Sequence, residues 1–390
     1  MFILYLSLII WFFLLFVWGN FWWLNRQINA PLQPLEFYPH VSIIIPARNE
    51  SETLPLSLPS VLNQDYSGKW SIILVDDNSS DRTTQIAQNI AKINHQINKI
   101  NIIQGKNLPP NWKGKLWAIK QGIDFSQEQT LIPDYFLLTD ADIKHDLSNL
   151  SQLVEKAEQE NLALVSLMVL LRCETFWEKL LVPAFVFFFQ KLYPFPWVND
   201  VSKPIAAAAG GCILIRRQAL EDIGGIEAIS QALIDDCSLA QAVKFNRKNK
   251  KNHNIWLGLT KTTLSIRAYD NLKTIWTMIA RTAFTQLNYS VLLLIGTVIG
   301  MGIIYLAPPV YLVIGLVNNN WSMTGIGAIA WLLMTVAYFP TIKFYKLSFL
   351  WAVNLPAIAL LYTFMTIDSA IKYWQGKGGA WKGRTYNSVK

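Results

Sequence analysis

Tyr135-Phe136-Leu137-Leu138-Thr139-Asp140-Ala141-Asp142 is the stretch whose reading decides the fold. The apolar run that opens it reads as a buried strand, and two carboxylates one residue apart follow at its C-terminal end. Carboxylates at the mouth of a sheet suit one hard divalent cation that keeps positions open for phosphate oxygens. A solvated loop closing a strand accounts for the same letters. The cation reading gains from the rest of the chain, where other acidic clusters also fall where strands or turns end.

Upstream, residues 41–46 (Val-Ser-Ile-Ile-Ile-Pro) form a short apolar run stopped by proline, another buried strand, and Ala47-Arg48-Asn49-Glu50 continues as a polar loop. Residues 53–63 read as a helix. A second strand, 70–75, runs into Asp76-Asp77-Asn78-Ser79-Ser80-Asp81-Arg82-Thr83, where Ser80 or Asp81 caps a helix running on from Thr84. A capped turn explains Ser80 and Asp81, but the Asp76-Asp77 pair repels itself and calls for a partner. In an open α/β sheet ligands bind at the carboxyl ends of strands, where such carboxylates accept from a base N–H and from ribose hydroxyls. Residues 100–104 are a third strand. Gly114-Lys115 precedes a helix over 116–125, and a lysine there meets a phosphate or stays solvated.

Downstream, 147–158 is an amphipathic helix and 162–170 a strand. Residues 206–216 pair small residues with a further strand, and Gly210-Gly211 permits a close backbone approach to a ligand or a sharp turn. Residues 220–225 end a helix. Asp235-Asp236 opens another that reaches about Phe245; the helix dipole alone favours carboxylates there, and a general base beside a cation and a sugar is the functional alternative. Residues 244–254 read as a basic, Asn-rich surface loop, and 272–282 as an amphipathic helix with Trp276 and Arg281. Strands alternating with helices predict an α/β domain on a mostly parallel, Rossmann-like sheet.

The hydrophobic fraction is 52% and the charged fraction 15%, and the apolar residues crowd the two ends. Residues 2–24 carry no charge and end in Trp18, Trp22, Trp23 and Arg26, which predicts an uncleaved transmembrane anchor over 1–25 with Arg26 inside. Residues 26–40, with three prolines, form a linker. Residues 176–198 are aromatic but interrupted by Glu178, Lys179, Lys191 and prolines, which predicts a segment lying on the membrane; a buried core helix is the alternative. Spans are expected over 289–311, 323–339 and 347–366, within a membrane region 284–367, and 368–390 is a basic tail. With a cytoplasmic catalytic domain, three later spans place that tail outside, against its basic character. Pro308-Pro309 and Asn318-Asn319-Asn320 mark the places where the span count is open.

The net charge is +8. Arg26, Lys343, Lys346, Lys372, Lys377, Lys382 and Arg384 flank apolar segments, so the basic excess reads as topology signal and contact with anionic lipid. No basic-aromatic module stands apart from the membrane segments, so no nucleic-acid partner is expected. Cys173, Cys212 and Cys237 lie far apart without a C-x-x-C, as suits core residues in a reducing compartment.

Taken as an ordered set, VSIIIPARNE (41–50), VDDNSSDRT (75–83), Asp140-Ala141-Asp142 and Asp235-Asp236 resemble the family 2 glycosyltransferases of GT-A fold over residues 41–283. The anchor, the C-terminal spans and the Trp381-Lys382-Gly383-Arg384 tail are similar, more narrowly, to hopene-associated glycosyltransferases and to carotenoid and ceramide glycosyltransferases. The resemblance implies that Asp76 and Asp77 hold the base and ribose, with Pro46, Arg48, Asn49 and Glu50 lining the same pocket and Lys115 near the phosphates. It implies that Asp140 and Asp142 hold Mg²⁺ or Mn²⁺ on the diphosphate, and that Asp236 deprotonates the acceptor with Asp235 beside it. Arg281 matches the Arg of the family's Q-x-x-R-W signature, but Met278 and Thr282 replace its Gln and Trp. That departure argues against processive synthesis and for a single transfer. The expected function is inverting transfer of a sugar from a nucleotide donor, a UDP-sugar, to a hopanoid- or carotenoid-like lipid. The expected setting is a multi-pass plasma-membrane protein with a cytoplasmic catalytic domain, alongside other lipid-biosynthesis enzymes. A processive polysaccharide synthase and a catalytically silent scaffold are the rivals.

Overall fold

In the computed structural model, described for residues 1–28, 33–246 and 253–379, the chain forms two compact units. One comprises Arg26–Arg172 and Trp197–Arg267; the other gathers Met1–Asn25, Cys173–Pro196 and the chain from Ala268 on. The division departs from the continuous 41–283 domain expected from sequence, because residues 173–196 pack with the C-terminal helices.

The first unit is built on an eight-stranded sheet: β1 (Val41–Ala47), β2 (Trp70–Asp76), β3 (Ile100–Gln104), β4 (Tyr135–Thr139), β5 (Ile143–Lys144), β6 (Leu164–Leu171), β7 (Cys212–Arg216) and β8 (Ile255–Ser265), in the order β3-β2-β1-β4-β7-β6-β8-β5. The first four are mutually parallel. β7 runs antiparallel to both β4 and β6, β6 is parallel to β8, and β5 is antiparallel to β8. β1 and β4 are buried along their whole length, as apolar runs in a covered parallel sheet must be. The parallel quartet therefore delivers the chain after β1, β2 and β4 to one edge of the sheet. Because β7 runs the other way and pairs Cys212 with Thr139, the residues just before it arrive at that same edge.

β8, the longest strand, was not legible as one. Thr260, Lys261, Thr262 and Thr263 break its alternation, yet Thr260 and Thr263 are buried. Its edge is extended by the expected linker: Leu259 N donates to Arg26 O at 2.7 Å and Ile28 N to Leu259 O at 3.1 Å. Lys244, expected on a surface loop, is buried instead. Its ammonium donates to the carbonyls of Val198 (2.7 Å), Asp200 (2.8 Å), Ile205 (2.8 Å) and Trp197 (3.2 Å), which fixes the segment leading to Gly210. Residues 247–252 of that loop lie outside the described residues, as does the Trp381-Lys382-Gly383-Arg384 tail.

The second unit is helical. Val291–Val317, Trp321–Phe344 and Leu355–Trp374 are each long and apolar enough to cross a membrane. The first runs unbroken through Pro308-Pro309, and Asn320 caps the second by accepting from Met323 N at 3.1 Å. Gly327 lets these two helices meet: a Cβ there would sit 2.9 Å from Pro308 O and Leu312 N. Helix Phe176–Leu192 buries Leu181, Ala184 and Phe187 in the apolar core of this unit. Its buried Glu178 is fully engaged, closing a capping box with Thr175 and accepting from Tyr269 N at 2.9 Å.

The expected N-terminal span is shorter than the apolar run implied. The helix covers only Phe2–Phe16, 15 residues, about 22 Å at 1.5 Å per residue against the ~30 Å of a bilayer core. Gly19 (φ 59°) and Asn20 (φ 48°) take left-handed conformations that end it. Trp18 and Trp22 give their indole N–H groups to Lys191 O (2.8 Å) and Leu15 O (3.0 Å). Trp11 has a sharper role. Pro308 has no N–H for the carbonyl four residues back, Ile304, and the helix widens into a π turn over Gly302–Leu306. Trp11 Nε1 supplies that carbonyl with its shorter donor, at 2.8 Å, beside a longer contact from Ser7 Oγ at 3.4 Å. Trp11→Phe keeps the ring and removes the donor, so it is expected to lower stability by about 1–3 kcal/mol, read as a drop in the detergent-solubilised melting temperature. An unchanged melting temperature would show that the carbonyl finds another donor.

Candidate active site

The loops after β1, β2 and β4 and the turn before β7 form the site. The first two are laced together. Asn49 N donates to Ser79 Oγ (3.0 Å), Ser80 N to Asn49 Oδ1 (2.8 Å), Glu50 N to Thr83 Oγ1 (2.9 Å) and Ser51 N to Asp81 Oδ2 (3.1 Å). Asn49 and Asn78 turn the two chains in left-handed conformations, which asparagine tolerates best among residues with a side chain. Asp76 shapes its own loop by accepting from Ser79 N (2.9 Å) and from Thr84 Oγ1. Asp77 is fully buried, with the Arg48 guanidinium 4.0 Å from its carboxylate and donating to its carbonyl at 2.5 Å. Arg48 thus sets a positive charge beside Asp77, while Asp76 is held by its own loop.

The acidic centre lies in a cleft lined by Pro46, Thr139, Gly210 and the apolar Ile226 and Ile229. Lys115, in the first turn of helix Gly114–Gln127, puts its ammonium 2.9 Å from Asp140 Oδ1 and 3.2 Å from Asp235 Oδ2. Asp235 and Asp236 open helix Asp235–Lys244. Asp236 accepts from Cys237 N through Oδ1 and from Gly210 N through Oδ2, both at 2.8 Å. The fit at Gly210 is tight: a Cβ would lie 3.2 Å from Asp236 Oδ2 and 3.3 Å from Lys115 Nζ, so a side chain there would displace both groups. Burial, then the neighbouring Asp235, raises the Asp236 carboxyl to about 6, against the pull of Lys115 and the two N–H groups. Burial also raises Asp140, with Lys115 opposing. Burial works to lower the Lys115 ammonium, and Asp140 and Asp235 override it, so it stays charged.

Asp142 faces differently. It is 5% exposed and accepts from Arg267 Nε at 2.5 Å, and the same guanidinium reaches Glu50 Oε1 at 3.1 Å. Arg267 had no sequence signal, standing past the end of β8 and 125 positions from its partner. Among the described residues no group of three His, Cys, Asp or Glu side chains is arranged to hold a metal ion by itself. The donor set therefore fits a divalent cation held by Asp140, whose carboxylate is 36% exposed, with phosphate and water oxygens completing the shell, as is common for Mg²⁺. It does not fit a cage made by protein alone. Arg281 follows helix Leu272–Ala280 in the helical unit and is exposed.

Residues 42–224 match the Glycosyl transferase family 2 profile, and the chain carries a family 2 glycosyltransferase domain of GT-A fold. Over 104 residues it is 33% identical to 4,4'-diaponeurosporenoate glycosyltransferase of Staphylococcus haemolyticus, covering 27% of this chain and 24% of that one. Over 122 residues it is 31% identical to undecaprenyl-phosphate 4-deoxy-4-formamido-L-arabinose transferase of Pectobacterium carotovorum, covering 31% and 34%. The chain thus spans about a quarter to a third of the length of these curated relatives. Among solved structures, mannosyltransferase PcManGT from Pyrobaculum calidifontis, in complex with GDP-Man and Mn2+, superimposes with a TM-score of 0.53 at 15% identity, over 95% of this chain and 98% of that one.

Proposed function

We propose that this protein is a membrane-bound glycosyltransferase that moves one sugar from a nucleoside-diphosphate donor to a lipid acceptor with inversion. The observation that carries the reading is the placement of Asp236, a carboxylate raised to about 6, beside the Lys115–Asp140 pair in one cleft at the sheet edge. The acceptor hydroxyl gives its proton to Asp236 as its oxygen bonds to the anomeric carbon. The bond from that carbon to the diphosphate oxygen breaks, and its electron pair stays on the phosphate. Lys115 stands where that charge develops. A Mg²⁺ or Mn²⁺ ion on Asp140 would supply further neutralisation, and Asp142 would join it only by releasing Arg267. Asp76, Asp77, Arg48, Asn49 and Glu50 build the wall that takes the nucleoside, and Pro46 lines the cleft beside it.

Attack from one side with a single base inverts the anomeric centre. The three long apolar helices and the named activities of the relatives, which include an undecaprenyl-phosphate transferase and a diaponeurosporenoate glycosyltransferase, support a polyisoprenoid-type lipid as acceptor; we place the transfer on the cytoplasmic face. Purified protein is expected to bind UDP or GDP about tenfold or more tightly with Mn²⁺ than in excess EDTA, measured by titration calorimetry. Equal affinity in EDTA would remove the cation from the account.

A further inference from the structure

Directly behind Asp140 runs a buried chain of polar side chains that the chemistry above does not use. Thr263, Asn149, His145 and Thr139 are each at most 4% exposed. Thr263 Oγ1 donates to Asn149 Oδ1 at 3.0 Å, and Asn149 Nδ2 meets His145 Nδ1 at 2.8 Å. His145 Nε2 meets Thr139 Oγ1 at 2.9 Å, and Thr139 Oγ1 lies 2.9 Å from Gly211 O.

Only one arrangement of protons satisfies every link. Gly211 O can only accept, so the single Thr139 proton goes to it. Thr139 must then accept from His145, which places the imidazole proton on Nε2 and leaves Nδ1 bare for Asn149. Burial pushes the imidazole down to about 4, so it is neutral at physiological pH. Every donor points one way, toward the Gly211 carbonyl. That carbonyl also receives Asp140 N at 3.4 Å, and the preceding Gly210 N–H holds Asp236. Two successive glycines have no side chains to fix their dihedrals. The chain grips one end of this pair and Asp236 the other.

We infer that His145 is a positioning residue: as the Nε2–H tautomer it orients Thr139, locks the Gly210-Gly211 turn, and so sets the spacing between Asp140 on the leaving-group side and Asp236 on the acceptor side. The inference rests on the transferase reading for its catalytic consequence and on geometry alone for its wiring.

The test uses full-length protein in detergent. With ¹⁵N-labelled histidine, of which the chain has 4, His145 is expected to show a protonated Nε2 and a bare Nδ1. His145→Phe, and the isosteric Asn149→Asp, are each expected to lower kcat by about 10- to 100-fold with KM for the donor little changed, the scale of a small misplacement of reacting groups. Ionised Asp at 149 can only accept, so it draws the imidazole proton to Nδ1, reverses the chain and takes the Thr139 donor away from Gly211 O. Asn149→Asp keeps the shape of the site and carries the test if His145→Phe fails to fold. A wild-type Nδ1–H tautomer, or a wild-type kcat in Asn149→Asp, would overturn the inference. If the wild type transfers no sugar from any donor, the transferase reading fails by itself, and the wiring stands or falls on the tautomer and its reversal.

Discussion

Asp236→Asn is expected to lower sugar transfer by about 10²- to 10⁴-fold, the range that a positioned general base contributes. Nucleotide affinity should stay close to wild type, because in the proposed mechanism the removed charge serves the acceptor and not the donor. Asparagine has one acceptor oxygen where aspartate uses two, so it keeps the bond from either Gly210 N or Cys237 N and presents its NH₂ to the other, while the proton acceptor is gone. The pH dependence follows with a defined sign. Burial and Asp235 hold the Asp236 carboxyl at about 6, so wild-type kcat/KM should rise as pH climbs through that value and the base ionises, then level off. The residual rate of Asp236→Asn should lack this acid limb. The same raised pKa means that ionised Asp236 costs stability at neutral pH, a cost that shrinks as pH falls below about 6 and is gone only below the ordinary carboxyl value of 3.8. A variant that transfers normally, or keeps the acid limb, would place the base elsewhere.

Lys115→Met is expected to do more damage than loss of one phosphate contact. The ammonium sits against Asp140 and Asp235, and its charge reaches Asp236. Removing it leaves three neighbouring carboxylates without their shared cation. Breaking a buried pair costs about 3–5 kcal/mol; because Asp140 is 36% exposed and partly screened, about 1–3 kcal/mol is the expectation here. The Asp236 carboxyl should rise further, moving the acid limb of the rate profile to higher pH. Lys115→Arg keeps the charge and should leave that limb near its wild-type position, even where the larger head group weakens donor binding. Denaturation in the presence and absence of Mn²⁺ separates the two roles of Lys115. A divalent ion replaces part of the missing charge, so it should stabilise Lys115→Met more than wild type. Equal stabilisation would mean that Lys115 and the cation do not share the carboxylates.

Much of this was legible in the sequence because the parallel half of the sheet obeys a local rule. β1, β2 and β4 are apolar runs ended by proline or acidic residues, and each acidic cluster marks a loop at the functional edge. The Asp235-Asp236 helix start was readable for the same reason, and so was the Gly210-Gly211 turn. What stayed hidden depends on pairing across long separations. Arg267 meets Asp142 and Glu50 only after β8 docks beside β6 and β5. β8 itself hides behind a polar Thr-Lys-Thr-Thr stretch of which Thr260 and Thr263 face inward. His145 and Asn149 look like ordinary loop and helix-start residues until β7 brings Gly211 to Thr139. In the helical unit the apolar run at the N-terminus exaggerated the helix, because composition does not register the left-handed Gly19-Asn20 step that ends it. The same composition could not show that Trp11 answers a vacancy created by Pro308, almost three hundred residues away.

The central claim is single transfer of a sugar to a lipid, with Asp236 as base. Its most direct test supplies membranes containing wild type or Asp236→Asn with a panel of radiolabelled nucleotide sugars and Mn²⁺, then extracts them with organic solvent. The account predicts label in the organic phase from one donor, as a single-sugar lipid product, abolished by Asp236→Asn and by excess EDTA. Label in a high-molecular-weight aqueous fraction, or lipid label that survives Asp236→Asn, would contradict it.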